Sequence, residues 1–460
     1  HLCSTVGEWV KLGVTNDSLS RESQICKHGC ESTSRTSSFL CNCWFQCTKA
    51  DILDSQKKDF MEKVLFAKAK EWFESTLSVK QTPLDLLASN CGCGDHSLPM
   101  RDDLFKQYNN ENKIDLVVFV TARTTRFMTA KAVAFACPCQ TNIFGRTNFA
   151  HINWSPSTMA SLTRTDLIEE MIGIAVHELT HALGFGRADF ERFIDNSKPF
   201  TIDHIKQHRS YPRQPVENVL KFETISLQVN NQQLQHNVTK IILPKVVEMA
   251  RKHFNCNTLD GVELENQGFS GTANSHWEQR ILNDEYMTST THYKPKKSII
   301  TLSLLEASGW YKVNYTNADK FTFGKNEGCD FVAPRCDKWK GAYKCTVEQK
   351  ASSGCIWDRS EMGRCSMIQY SRKIPDWYVY DVKHDHFGGT QLADYCPLFT
   401  HTNFGDCKQP QYQLNRNFER GETYSSSSMC LESTLKRRYN NDISNSVPVI
   451  GKGGCYALRC

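Results

Sequence analysis

The stretch Met171-Ile-Gly-Ile-Ala-Val-His-Glu-Leu-Thr-His-Ala-Leu-Gly-Phe185 places two histidines four residues apart, with a glutamate directly after the first. Apolar residues recur at helical spacing before and through this stretch, which predicts a buried or amphipathic helix that ends at Gly184. Residues four apart share one face of a helix, so His177 and His181 can offer two imidazole nitrogens to one metal ion. Glu178, one position along, would point beside the metal, where a water would bind. The pattern predicts a zinc site with its own catalytic base.

A short H-E-x-x-H pattern also arises by chance, and a histidine on an apolar face is more often a core residue than a ligand. The neighbouring residues favour the metal site. A helix buried by Ile, Met, Val and Leu rarely keeps two histidines and a carboxylate unless they are paired or metal-bound. Because catalytic zinc takes three protein ligands and leaves one position open, a third ligand must lie elsewhere in the chain.

The third ligand does not lie close to the helix. The compact form of the pattern would place a histidine at position 187, where the chain has Arg187. Much farther along, residues 271–287 contain His276 and end in Asn283-Asp-Glu-Tyr-Met287. With these residues the chain resembles the leishmanolysin family of zinc metalloproteases, in which a long insertion separates the helix-ending glycine from the third histidine. Segments similar to the family follow in family order at 9–14, 48–53, 115–120, 261–268 and 455–460.

The resemblance implies a role for each residue of the site. His177, His181 and His276 would be the ligands of one catalytic Zn²⁺. Glu178 would be the general base, and Met287 would form the methionine turn beneath the metal. Three neutral imidazoles leave the ion its charge, which lowers the pKa of the bound water to ~7. Residues that bind substrate stay unassigned.

The resemblance also implies an α+β fold of the metzincin type, with a twisted mixed sheet beside the active-site helix. Periodicity adds a long amphipathic helix over about residues 50–80, a helix near 240–253, and strands at 10–14, 114–120, 132–136 and 149–154. The last strand resembles the edge strand to which metzincins pair an extended substrate. We expect an N-terminal catalytic subdomain over 1–185, a central insert subdomain with His276 and the methionine turn over 186–310, and a disulfide-rich C-terminal domain over 311–460.

Twenty-one cysteines indicate an oxidising compartment. Ten precede residue 140, ten follow residue 328, and only Cys256 lies between, so the predicted zinc site belongs to a region with few disulfides. Pairs of the form C-x-C are tighter than the usual spacing of structural zinc ligands, which favours disulfides over zinc at these pairs. The resemblance implies two bonds, Cys26–Cys47 and Cys93–Cys139.

An odd number of cysteines leaves at least one without a partner in the chain, and Cys3 is the first candidate. Family members carry a pro-segment whose cysteine occupies the open position of the zinc, which would make Cys3 a latency thiol. An ordinary disulfide or an unmatched chain end are the competing interpretations, because Cys3 lies very close to the segment at Trp9 that resembles the mature family proteins.

Charge and hydropathy limit the partners. The net charge is +5 with acidic and basic residues interspersed, which argues against a nucleic-acid partner. The longest apolar runs are far shorter than the ~20 residues of a membrane-spanning helix. Some relatives are held at the membrane by a lipid added at a hydrophobic C-terminal tail. This chain ends at Cys460 without such a tail, so we expect a removed anchor signal or a soluble protein. Sequons at Asn16, Asn153, Asn237 and Asn314 are typical of a secreted glycoprotein.

Together these features predict a secreted or cell-surface zinc endopeptidase that hydrolyses peptide bonds in extended protein or peptide substrates. A non-catalytic adhesion or structural protein on the same scaffold and a latent zymogen are the alternatives. Glu178 favours the enzyme, because a structural zinc site needs no carboxylate beside an open coordination position. His151, on the predicted strand before the helix, is a poorer ligand candidate than His276, which already completes the set.

Overall fold

The computed structural model describes residues 3–12, 43–79, 90–93, 96–99, 114–125, 132–142, 144–159, 165–195, 218–268, 271–340, 343–350, 352–413, 421–432, 436–439, 442–448 and 453–458. The chain forms two compact units. The first consists of His1–Glu217 and Leu302–Asn317, and the second of Asn218–Thr301 and Ala318–Cys460. Helices and small sheets occur in both units, which confirms the predicted α+β class. The division into three domains stays a prediction.

The elements are numbered in chain order. The α-helices are α1 Ser55–Phe60, α2 Phe66–Thr76, α3 Thr165–Leu183, α4 Arg187–Phe190, α5 Pro244–Phe254, α6 Gln279–Leu282 and α7 Ile299–Ala307. The strands are β1 Trp9–Leu12, β2 Cys43–Gln46, β3 Leu77–Val79, β4 Asn90–Cys93, β5 His96–Pro99, β6 Val117–Ala122, β7 Ala134–Thr141, β8 Thr147–Trp154, β9 Leu220–Val229, β10 Gln232–Ile241, β11 Val262–Leu264, β12 Tyr311–Val313, β13 Ser353–Cys355, β14 Glu361–Cys365, β15 Ile368–Gln369, β16 Phe387–Gly388, β17 Phe399–Asp406, β18 Ser428–Glu432, β19 Lys436–Tyr439, β20 Asp442–Pro448 and β21 Gly453–Ala457.

The predicted long helix near residues 50–80 is present but is not uniform. Between α1 and α2 the backbone makes a π-helical turn at Met61–Leu65. One face is buried, as the 3.6-residue period predicts, and its apolar members are Met61, Leu65, Ala69 and Phe73. The opposite face carries exposed ion pairs such as Lys70–Glu74, which contribute little to stability. The helix therefore covers the core of the first unit with one side only.

A three-stranded sheet of the first unit contains the strand that precedes α3. β8 lies at its centre, paired in parallel with β6 and antiparallel with β7, and all eight residues of β8 are buried. A strand that is hydrogen-bonded on both sides offers no edge, so the prediction of a substrate-facing edge strand at 149–154 is wrong. In the described part of this sheet, β6 and β7 are the outer strands.

A long β-hairpin in the second unit was not predicted. β9 and β10 pair over all ten residues of each strand, and Asn230 and Asn231 form the two-residue turn between them. Both asparagines have positive φ, 48° and 64°, as a tight hairpin turn requires. The predicted helix near 240–253 is therefore shorter. It begins at Pro244, because Lys240 belongs to β10.

In seven disulfides the side chains of both cysteines are described, and two of these bonds correct the predicted pairing. Cys47 is bonded to Cys3 and not to Cys26, because antiparallel pairing of β1 with β2 brings Cys3 to Cys47, with their Cα atoms 5.6 Å apart. Cys3 is thus no free latency thiol, and the ordinary-disulfide interpretation holds. Cys139 on β7 is bonded to Cys91 on β4 and not to Cys93. The other bonds are Cys256–Cys329, Cys336–Cys396, Cys345–Cys365, Cys355–Cys430 and Cys407–Cys455.

None of the helices within the described ranges has the length and apolar content needed to cross a bilayer.

Candidate metal centre

The predicted helix with the two histidines is α3, a helix of 19 residues. Its packing face is apolar, and the fully or nearly buried members are Met171, Ala175, Val176, Leu179, Ala182 and Leu183. Thr180, also buried, donates its hydroxyl to the carbonyl of Val176 at 2.8 Å, which satisfies this hydroxyl within the helix. In the apolar stretch Met171–Leu183, the other polar side chains are those of His177, Glu178 and His181.

Gly184 ends α3, as the sequence predicts. Its φ is 125°, in the region that only glycine adopts readily. A Cβ atom at this position would lie 2.6 Å from Cζ3 of Trp310, so the indole ring occupies the space that a side chain would need. Tyr311, the next residue, donates its hydroxyl to the carbonyl of Leu183 at 2.8 Å and satisfies one of the last carbonyls of the helix. The end of α3 is thus held by a specific pair of aromatic residues.

The two helix histidines face each other. Nε2 of His181 lies 3.0 Å from Nε2 of His177, and Nδ1 of His181 lies 2.6 Å from the carbonyl oxygen of Phe185. A carbonyl oxygen only accepts, so Nδ1 must carry the proton and the Nε2 of a neutral ring turns its lone pair toward His177. Metal-bound histidines commonly have their second nitrogen fixed in this way. The geometry fits two imidazoles that share a cation.

His276 has the same kind of support. Its side chain is buried, and its Nδ1 lies 3.0 Å from the carbonyl oxygen of Thr272. His276 lies in the second unit, whereas His177 and His181 lie in the first. Imidazole nitrogens are preferred zinc ligands, so the donor set and its proton arrangement fit this metal. The role of the three histidines as ligands of one ion stays a prediction.

Glu178 is a buried carboxyl group next to the first histidine. Its side chain is 5% exposed, and within the described residues its Oε2 has no hydrogen-bond partner. Burial raises the pKa of Glu178 to about 8, because the charged carboxylate loses its hydration. A buried polar atom without a protein partner calls for a water or an ion. The role of Glu178 as the general base stays a prediction.

Met287 lies in a tightly held loop of the second unit. The residue is fully buried, and its N–H donates to Oε2 of Glu285 at 2.6 Å. Its carbonyl accepts from the N–H of Trp277 at 3.0 Å, so Met287 is hydrogen-bonded to the residue that follows His276. Glu285 also accepts hydrogen bonds from Ser298 and Thr301, and burial raises the pKa of Glu285 to about 7. Both backbone polar groups of Met287 are therefore hydrogen-bonded.

His151 is the weaker ligand candidate of the sequence, outside the set of His177, His181 and His276. It is fully buried on β8, and its Nε2 lies 2.7 Å from the hydroxyl of Thr121 on the neighbouring strand. Sequence reasoning missed the groups that orient the other histidines, namely the carbonyls of Phe185 and Thr272. Every residue has a backbone carbonyl, so the sequence does not mark the ones that accept from a histidine. Only the fold shows which carbonyls face a ring.

The similarity to known proteins extends over nearly the whole chain. A family model described as leishmanolysin matches residues 7–460. A leishmanolysin-like peptidase of Drosophila melanogaster is 33% identical over an alignment of 317 residues that covers 62% of this chain and 46% of that protein. A leishmanolysin homolog of Crithidia fasciculata is 26% identical over 93% of this chain and 60% of its own length. Leishmanolysin of Leishmania donovani is 24% identical over 90% of this chain and 64% of its own length. The chain thus spans about half to two-thirds of these relatives.

Proposed function

Since this chain belongs to the leishmanolysin family, we propose that it is a zinc-dependent endopeptidase that acts on protein or peptide substrates. The observation that carries the proposal is the arrangement on α3. Two histidines with facing Nε2 atoms lie beside a buried carboxyl group whose Oε2 has no partner within the described residues. A site that only stabilised the fold would have no use for that carboxyl group, which is costly to bury.

In this proposal the three histidines hold the ion, and hydrogen bonds within each unit orient two of the rings. Phe185 and Thr272 accept from Nδ1 of His181 and His276, which makes Nε2 the unprotonated nitrogen of each neutral ring and limits rotation of the rings. When bound, Zn²⁺ would supply positive charge that acidifies water and polarises a peptide carbonyl. Each of these two rings therefore loses little rotational freedom when a metal binds.

Glu178 would be the general base. Its Oε2 is buried and not hydrogen-bonded to any described residue, and the positive charge of a bound metal ion would favour the ionised carboxylate, the form that can accept the proton of an attacking water. The same carboxyl group would then donate the proton to the amine that leaves when the peptide bond breaks. Low exposure keeps bulk water away from the carboxyl group and strengthens its interactions with charge that develops in the transition state.

We further propose that an extended substrate pairs with β7, not with β8. Within the described sheet β7 is an outer strand and packs against α3. It contains Pro138 and a change of register at Pro138/Gln140, both typical of an edge strand. Backbone hydrogen bonds to such an edge would hold the substrate in an extended conformation beside the helix.

The cysteine pattern supports a secretory route. Disulfides persist in extracellular and other oxidising compartments and are rare in the cytosol. We propose that the protein is secreted or lies at the cell surface.

The test is cleavage of a quenched peptide library by the full chain and by two variants of α3, with zinc measured in all three. Glu178→Gln keeps the shape of the side chain but removes the base, and should lose about 10²–10⁴-fold activity while retaining zinc. Glu169→Gln changes an exposed glutamate of the same helix and should leave both unchanged. Full activity of the Glu178→Gln variant would disprove the base. A native chain that binds zinc but cleaves nothing would favour the adhesion or structural alternative.

A further inference from the structure

A large aromatic ring is open to solvent on the hairpin of the second unit. Phe222 of β9 is 65% exposed, although phenylalanine is usually buried. Residues two apart on a strand share a face, so Phe222 shares its face with the exposed polar residues Thr224, Ser226 and Gln228. Within the described residues, nothing on this face buries the ring.

A sequon lies on the same face of the neighbouring strand. Asn237-Val238-Thr239 belongs to β10, and the register places Asn237 opposite Thr224 and Thr239 opposite Phe222. Asn237 is therefore the diagonal neighbour of Phe222, a position from which a group a few ångströms long reaches an aromatic ring. The side chain of Asn237 is exposed. Its Oδ1 accepts from the hydroxyl of Thr224 at 2.7 Å, a bond that does not use the amide nitrogen.

We propose that Asn237 carries an N-linked glycan and that the first sugar of this glycan covers the ring of Phe222. The inference rests on the secretory route proposed above but not on the peptidase chemistry. Transfer would join Nδ2 of Asn237 to the anomeric carbon of an oligosaccharide. The donor is a lipid-linked pyrophosphate sugar, the lipid pyrophosphate leaves, and the amide loses one proton. The face of a sugar ring that carries C–H groups then removes part of the Phe222 surface from water.

The other sequons differ from Asn237 in their surroundings. Asn153 is fully buried in β8, where its Nδ2 donates to the carbonyl of Arg123 at 2.9 Å. A glycan there would be incompatible with the central strand of the sheet, so folded molecules should lack it. Asn314 is exposed, but its Nδ2 donates to the carbonyl of Ser75 at 3.4 Å. Asn16 lies outside the described residues.

The first measurement is site-by-site glycan mapping. The full chain carrying Glu178→Gln, with a secretion signal added, would be expressed in eukaryotic cells and analysed by peptide mass spectrometry. The inactive variant separates glycan occupancy from any failure of the peptidase proposal. We expect the Asn237 peptide to be occupied and the Asn153 peptide to be unmodified. A secreted, folded chain with unmodified Asn237 would overturn the inference and leave the proposed peptidase untouched.

The second measurement tests the contact with Phe222. The melting temperature of the glycosylated chain would be compared before and after enzymatic removal of the glycan, with and without Phe222→Ser. We expect deglycosylation to lower the melting temperature by about 2–4 °C when Phe222 is present and by much less in the Phe222→Ser variant. Ser226→Ala, on the same face, is the matched control and should retain the full difference. If deglycosylation lowers the melting temperature equally with and without Phe222→Ser, the proposed contact of the sugar with Phe222 is overturned, even if Asn237 is glycosylated.

Discussion

Gly184 and Trp310 are in direct contact at the end of α3, where a Cβ on the glycine would lie 2.6 Å from the indole ring. The helix that carries both histidines of the motif thus ends in contact with the indole ring of Trp310. The indole itself is held by a hydrogen bond from its Nε1 to the carbonyl of Phe144 at 2.9 Å, so it has little freedom to move aside.

Substitution of this glycine should be costly. Gly184→Ala adds a clash with Trp310 to the strain of a φ of 125°, and should lower the free energy of unfolding by about 2–4 kcal/mol. Gly271→Ala is the matched control, because Gly271 has a φ of 102° but no atom within 4 Å of the added Cβ. Chemical denaturation of both variants measures the difference. Equal losses would mean that backbone strain alone, and not the indole, decides the effect.

The proposed ligand set makes a prediction about metal retention. His177→Ala and His276→Ala should each lose zinc on dialysis to the same degree, because a three-histidine site loses a ligand in both cases. His386→Ala removes an exposed histidine of the second unit and should retain the metal. Zinc content after dialysis is the measurement. If the His276→Ala chain retained all of its zinc, His276 would not be a ligand.

Arg280 should be among the most sensitive residues of the second unit. It is 1% exposed and makes ion pairs with the buried carboxylates of Glu263 and Asp394. Arg280→Met leaves both carboxylates buried without their cation, and should cost about 3–5 kcal/mol of stability. Arg364→Met changes an exposed arginine and should cost little. Denaturant titration checks both, and a small effect at Arg280 would mean that the carboxylates become protonated at little cost.

Stability should fall in alkaline solution because of His401. Burial by itself lowers the pKa of this histidine, but Asp284 and Glu361, 3.5 and 2.9 Å from its ring nitrogens, outweigh burial and raise the pKa to about 10. A pKa raised on folding stabilises the native state fully below the unfolded value of ~6.5, and this contribution is lost as the pH rises to about 10. The free energy of unfolding of the native chain should therefore decline as the pH rises through this range. The decline should be smaller in the His401→Gln variant. An unchanged pH slope in that variant would assign the loss to other groups.

The corrected disulfides can be mapped directly. Peptides separated without reduction should contain Cys3 linked to Cys47 and Cys91 linked to Cys139. Thiol labelling of the native chain should miss Cys3, and Cys3→Ala should not increase proteolytic activity, because a bonded cysteine cannot block a metal. Rapid labelling of Cys3 together with activation by Cys3→Ala would restore the latency interpretation.

Local sequence patterns are sufficient to predict features that depend on a single helix or strand. The 3.6-residue period predicts α3, its two histidines on one face and its end at Gly184, because these features depend only on residues within one helix. The buried face of α1 and α2 follows from the same period. The hairpin of β9 and β10 could also have been predicted, since its strands alternate and its turn consists of two asparagines that tolerate positive φ.

The sequence by itself thus determined the helix, its histidine pair and the carboxyl group beside it, and the resemblance to a family indicated His276. The tertiary structure alone decided that β8 is a central strand, that Cys47 is bonded to Cys3, and that the carbonyls of Phe185 and Thr272 face the histidine rings. The physical reason is the range of the interactions. Periodicity records which face of an element is buried, whereas the neighbour of a strand, cysteine or carbonyl depends on chain segments far away in sequence.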